Sequence, residues 1–187
     1  MTTAMFLKQA LARPQRVGAL LPSSRYLAAA MAREAAGAGL LVELGAGTGA
    51  VTRVLRDACP ATPLIAAEID AELAWHLRLR FPGVDVRAAH AHRLVAELRR
   101  EALPEQAVVV SSLPFRSLPR KVHLRTVEAI CNFLEDDPTR RLVQYTYQPR
   151  RPFDLPEHSR LLWRWRRTVW LNVPPAGVWV LQRTPES

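Results

Sequence analysis

The chain has 187 residues, 49% of them hydrophobic, enough for one domain with a sizeable core and too apolar for a disordered chain. Twenty-six basic residues against 17 acidic ones give a net charge of +9, which points to nucleic acid or an anionic membrane surface as partner, or reflects only arginine-rich codon usage. No apolar run reaches the roughly 18–20 uncharged residues of a spanning helix, Lys8, Arg13 and Arg16 interrupt the N-terminal apolar residues so that no signal peptide is read there, and Cys59 and Cys131 lie in no metal-ligand spacing.

Residues 3–13 (TAMFLKQALAR) are expected to form a short amphipathic helix, with Ala4, Leu7, Ala10 and Leu11 on one face and Pro14 as its stop. Pro22-Ser23-Ser24 opens a second helix running to about Ala36, with a serine as N-cap. After Gly37 and Gly39 the pattern changes. Strands are predicted at 40–44 (LLVEL), 63–69, 84–88, 106–112 and 140–147, and helices at 49–58, 71–80, near 91–102 and 119–134. Such alternation implies right-handed βαβ units and a mostly parallel sheet. Residues 160–173 and 177–183 are predicted strands joined by Pro174-Pro175-Ala176 with no helix between them, hence an antiparallel hairpin at the sheet edge. The expected organisation is therefore N-terminal lid or docking helices over 1–36 and one compact α/β unit over 37–187.

The first predicted strand ends in E-L-G-A-G-T-G (43–49) and runs straight into a helix. Gly45 and Gly47 allow backbone angles and close ligand approach that a Cβ would block. Glu68 ends the next strand, 19 residues after Gly49, where a carboxylate commonly holds a ribose diol by two hydrogen bonds. The alternative is a tight turn followed by a solvated glutamate.

These residues resemble the glycine-rich and following acidic motifs of class I methyltransferases, which bind S-adenosylmethionine. The resemblance implies a Rossmann-like fold, a seven-stranded, mostly parallel sheet ending in an antiparallel hairpin. F-L-K-Q-A-L-A-R-P-Q-R-V-G-A-L-L-P-S-S-R-Y-L-A (6–28), V-V-S-S-L-P-F-R-S-L-P (109–119), V-Q-Y-T-Y-Q-P (143–149) and N-V-P-P-A (172–176) are more specific. They are similar to bacterial phospholipid N-methyltransferases of the soluble-domain type. By that resemblance Glu43, Gly45, Gly47, Thr48, Gly49 and Ser111 line the cofactor, Glu68 and Ile69 meet its ribose side, and His90 and Ala91 its adenine. His90 stands where such proteins usually carry an aspartate. A neutral imidazole accepts one hydrogen bond, so His90 either meets the adenine amine or only starts a helix.

The implied reaction carries methyl groups from S-adenosylmethionine to the amine of phosphatidylethanolamine, leaving S-adenosylhomocysteine. Ser112-Leu113-Pro114-Phe115 follows the fourth strand and has the shape of the N-P-P-Y-like turn of amino-methylating enzymes. Phe115 is placed to cover the methyl and to favour a quaternary ammonium through its ring face. Tyr145 and Tyr147 share one strand face. Either Tyr147, its neighbour or Tyr26 is a candidate for the amine or lipid-phosphate contact, and an aromatic core pair is the plainer alternative. His76, His92, His123 and His158 lie in no ligand spacing, and no metal is expected.

A lipid-modifying enzyme without a spanning helix is expected to work from the cytoplasm, peripherally, on anionic lipids of the inner membrane face. The first helix and the Trp-Arg stretch RLLWRWRRTVW (160–170) are the candidate surfaces. Neither a nucleic acid nor an obligate protein partner is expected. Three rivals stand beside this reading. S-L-P-F also resembles the N-L-P-Y of rRNA adenine dimethylases, a silent nucleoside-binding module would keep the same glycines, and ornithine lipids offer an amine to the same motifs.

Overall fold

The computed structural model describes residues 24–184. The helix expected at 3–13 lies outside them. The described chain runs α1 (Arg25–Glu34), β1 (Leu40–Leu44), α2 (Ala50–Ala58), β2 (Leu64–Glu68), α3 (Ala71–Arg80), β3 (Asp85–Ala88), α4 (Ala91–Leu98) and β4 (Ala107–Ser111). A 3-10 turn (Phe115–Ser117), α5 (Arg120–Glu135), β5 (Arg141–Thr146), β6 (Leu161–Val169) and β7 (Ala176–Arg183) follow.

The seven strands form one sheet in the order β3-β2-β1-β4-β5-β7-β6. The pairs among β1 to β5 are parallel, and β7 is antiparallel to both β5 and β6. Every residue of β1 and β4 is buried, as near-continuous apolar runs covered by helices on both faces require. One face packs under α1, α2 and α3 through Leu27, Met31, Leu55 and Leu77. The other packs under α4 and α5 through Leu94, Leu98, Ile130 and Phe133. Each such fully buried side chain contributes about 1.5–3 kcal/mol. Ser24 caps α1, its Oγ accepting from the Leu27 N–H at 3.3 Å.

The winding reverses between β1 and β4, and the crevice beyond their carboxyl ends is where an open α/β sheet receives ligands. The pairing of Thr146 with Gly177 brings the β6–β7 turn to that same rim.

Two expectations are corrected. The helix expected near 91–102 ends at Leu98, because the next turn tightens into Arg100→Glu97 and Glu101→Leu98 bonds. The strand expected at 160–173 stops at Val169. There Asn172 folds inward, its Nδ2 donating to the Pro174 carbonyl at 2.7 Å and its Oδ1 accepting from the Ser24 N–H at 3.2 Å. β6 is also irregular. An irregularity between Trp165 and Arg167 pairs Trp165 with Trp179 but Arg167 with Val178, so Arg167 falls on the opposite face from Trp165.

Candidate functional site

The glycine turn is built by backbone. Gly47 has φ +56°, and a Cβ there would meet nothing within 4 Å because it would point into open space. Its bare Cα therefore faces a cavity at the carboxyl ends of β1 and β2. A Cβ on Gly45 would lie 2.9 Å from the Leu113 side chain, which closes over the turn. Gly49 has a different task. It caps α2, and a Cβ there would sit 2.6 Å from Phe81, so its bareness admits α3 rather than a ligand.

Glu68 fixes the turn. Its Oε2 accepts from the Gly47 N–H at 2.8 Å and its Oε1 from the Asp70 N–H at 2.9 Å. Burial pushes its carboxyl above the usual range, and the amides of Asp70, Gly47 and Ile69 pull it back. Each oxygen keeps a second lone pair for a diol. Glu43 lies beneath, fully buried, with neither carboxylate oxygen hydrogen-bonded among the described residues. Burial is the main force that pushes its carboxyl up to about 7. The neighbouring Thr52 offsets this in part, and the Glu68 charge adds to it.

His90 forms the far wall as the N-cap of α4, with its side chain making no capping bond. Burial first, and then Arg93, hold its imidazole below the ordinary range. The neutral ring has a nitrogen that can accept from an exocyclic amine. Ile69 and Ala91 complete that wall, and Leu118, Val122 and Thr126 form an opposing strip. A carboxylate with lone pairs to spare, a neutral imidazole and an apolar slot between them suit an adenosyl nucleoside. The open face of Gly47 supplies the floor, with Glu43 buried beneath it.

Leu113 and Pro114 are shared with a second cavity of about 200 Å³ on their other side. Gln144, Tyr145, Tyr147, Phe115 and Arg116 help to line it. Gln144 donates its side-chain N–H groups to the carbonyl oxygens of Leu113 at 3.2 Å and Tyr145 at 2.8 Å. The opposite amide orientation would press its oxygen against two carbonyls, so the assignment is fixed. Its Oε1 is left buried without a partner among the described residues, as are the hydroxyls of Ser112 and Tyr147. Of these, Gln144 and Tyr147 border the second cavity and Ser112 the first, so orphaned polar atoms lie on both sides of the Leu113 turn. The Tyr145 and Tyr147 rings meet edge to face at 5.4 Å. Burial pushes the Tyr147 phenol up, Asn172 and Tyr145 offsetting part of it, so it serves as a neutral hydroxyl and not as phenolate.

The structure thus gathers Gly45, Gly47, Glu68, Ile69, His90, Ala91 and Ser112 around one cavity, and Phe115 and Tyr147 around the next. Five other expected residues do not line either. Glu43 is below the floor, and Ser111 is buried with its Oγ accepting from the Leu113 N–H at 3.2 Å. Thr48 is exposed and gives its carbonyl to Arg80, and Gly49 packs on α3. Tyr26 is 42% exposed and its hydroxyl accepts from Arg25, because α1 turns Leu27, Ala28 and Met31 inward instead. Phe115 is only 3% exposed, its ring packed on Phe153 and His123. Gln144 was not singled out from sequence. The available signal was a lone amide in a strand otherwise read as buried. Among the described residues no group of three potential ligands could hold a metal.

No protein-family model matches the chain. It is 29% identical over 196 aligned positions to the ornithine lipid N-methyltransferase of Singulisphaera acidiphila, covering 98% of this chain and 97% of that protein. Among solved structures, the 23S rRNA methyltransferase ErmE superposes with a TM-score of 0.57 at 22% identity, over 87% of this chain and 69% of its own. A TehB-like SAM-dependent methyltransferase from Corynebacterium glutamicum superposes with a TM-score of 0.55 at 14% identity, over 97% and 96%. The fold is that of the Rossmann-like class I methyltransferases, with their seven-stranded sheet and antiparallel C-terminal strands.

Proposed function

We propose that this protein is an S-adenosylmethionine-dependent enzyme that methylates the primary amine of a membrane lipid, acting from the cytoplasm at the inner membrane face. An ornithine-type amino lipid is the first acceptor to consider, since the relative matched over nearly its whole length carries that name. Phosphatidylethanolamine, the acceptor that the sequence motifs suggest, comes second. Both lipids place an anionic group within a few bonds of a primary amine.

The observation that carries the reading is the shared wall. Leu113 and Pro114 separate a nucleoside-shaped cavity from one bordered by two residues with orphaned acceptors, Gln144 Oε1 and the Tyr147 hydroxyl. Glu68 would hold the ribose diol, His90 the adenine amine, and the Gly45–Gly47 backbone would admit the rest of the cofactor. When bound, the cofactor supplies an electrophilic methyl on a sulfonium. Gln144 Oε1 and the Tyr147 hydroxyl accept amine hydrogens and so aim the nitrogen lone pair toward the shared wall. The lipid ammonium loses one proton before transfer, since only the neutral amine has a lone pair, and water at the open mouth takes it; the methylated product stays protonated and no strong base is needed. The tyrosine faces favour the methylated ammonium by roughly 0.5–2 kcal/mol. Arg116 borders the same cavity and is placed to meet the anionic group of the headgroup.

The test is transfer of labelled methyl to mixed lipid vesicles or to RNA, with products separated by chromatography. Label in an amino lipid is expected. Label in RNA alone, or cofactor binding with no transfer to any lipid, would overturn the reading.

A further inference from the structure

The β6–β7 turn, residues 170–175, reads WLNVPP. Trp170, Leu171 and Val173 are 76%, 67% and 76% exposed, and Trp165 beside them is 57% exposed. The turn's amide side chain is the part turned inward, since Asn172 is 2% exposed and clasps Ser24 and Pro174. A turn facing water normally does the reverse. Arg164 and Arg167 on β6, and Arg150 and Arg151 before it, are exposed. Among the described residues none of the four has a carboxylate within ion-pair distance. The turn stands on the same rim as both cavities. Between it and them runs a groove of about 450 Å³, lined by Trp165, Trp170, Trp179 and Gly177 and sharing Thr146, Tyr147 and Gln148 with the acceptor cavity.

We propose that the 170–175 turn inserts into the interface of an anionic bilayer, and that the groove beside it seats the first part of the acceptor's acyl chain while the amine lies against Gln144. The inference rests on the lipid reading of the site. Four observations favour a bilayer as occupant. The exposed surface is apolar at the tip, tryptophan and arginine flank it at headgroup depth, the four flanking charges without an ion pair are all positive, and the apolar path continues from the tip to the reacting pocket. A single lipid can thus slide from membrane to acceptor cavity without its chain crossing water.

The test uses the full chain and vesicles of phosphatidylcholine with or without phosphatidylglycerol. Leu171→Asp/Val173→Asp touches neither cavity. It is expected to lower the fraction cosedimenting with anionic vesicles by about tenfold or more, with unchanged calorimetric binding of S-adenosylhomocysteine as proof of folding. Arg164→Glu/Arg167→Glu is expected to remove the salt dependence of vesicle binding. Thr168→Trp, which fills the groove, is expected to raise KM for a long-chain amino lipid and leave KM for its short-chain, water-soluble form unchanged. Wild-type protein that ignores anionic vesicles, or aspartate variants that bind them as well as wild type, would overturn the docking assignment. So would a wild-type dimer that becomes monomeric in the aspartate variant while vesicle binding stays the same. Equal KM values in Thr168→Trp and wild type would overturn the groove. Failure of wild type to methylate any lipid while vesicle binding depends on the tip would strike the acceptor reading instead, and leave the docking surface in place.

Discussion

The two cavities that meet at Leu113 and Pro114 are made from different materials. The nucleoside side is made of backbone: a bare Gly47 Cα, the turn it belongs to, and one carboxylate that grips the turn from the next strand. The acceptor side is made of side chains from segments far apart in the chain, with Gln144 tied to the Leu113 carbonyl and Tyr147 beside Asn172. Backbone geometry persists through changes of side chain, so the first cavity recurs across the fold. Side-chain placement does not, so the second cavity is where acceptor choice is set.

Substitutions should separate the halves. Gly47→Val places a branched side chain at φ +56° and in the mouth of the cradle. Cofactor affinity is expected to fall by about 100-fold or more, roughly 3 kcal/mol, read by calorimetry, with vesicle binding intact. Equal loss of both would mean global damage.

Glu43 tests the floor through pH. Its carboxyl is raised from 4.5 to about 7 in the folded protein, so the folded state keeps a proton that the unfolded state releases. Its contribution is fully present below about pH 4.5 and is lost as pH rises through about 7, a change of about 3 kcal/mol. Urea unfolding from pH 5 to pH 8 should show that decline on top of the other titrations. Glu43→Gln should lack it, and parallel curves for the two proteins would refute the buried-acid assignment.

Gln144→Leu removes the one amide that both braces the Leu113 turn and faces the acceptor. It is expected to lower kcat/KM for the lipid by about 10–100-fold, roughly 1.5–3 kcal/mol, with cofactor affinity within about twofold of wild type. Gln144→Glu should not rescue the rate, because its second oxygen would lie against the Leu113 and Tyr145 carbonyls that the amide now meets as donor. The smallest effect belongs to His90. His90→Ala should weaken cofactor binding by about fivefold, about 1 kcal/mol. In wild type, affinity should fall in acid, since the imidazolium has no acceptor nitrogen. An unchanged affinity in His90→Ala would reduce His90 to a helix start.

The same contrast explains what the sequence discloses. Strands β1 and β4 are legible because both faces are covered, which demands unbroken apolar runs. The glycine turn is legible because its φ angles and its close approach exclude other residues. The last hairpin is legible as antiparallel from the missing helix. Its tip is not, because Asn172 is held by Ser24, 148 residues away. Nor is the register change at Trp165 and Arg167, which no local pattern encodes. Tyr26 shows the limit of motif transfer. The resemblance singles it out, but the face of α1 on which it lies is settled by Leu27 and Met31. Gln144 shows the converse, a residue inside a recognised motif whose part depends on a carbonyl 31 positions earlier.

The most direct measurement is a crystal structure with S-adenosylhomocysteine and a water-soluble headgroup amine bound together. The account predicts the ribose on Glu68, the amine nitrogen against Gln144, and the sulfur and nitrogen facing each other past Leu113 and Pro114, close enough for a methyl to bridge them, about 4 Å. A nucleoside bound elsewhere, or an amine seated away from Gln144 with no line to the sulfur, would contradict it.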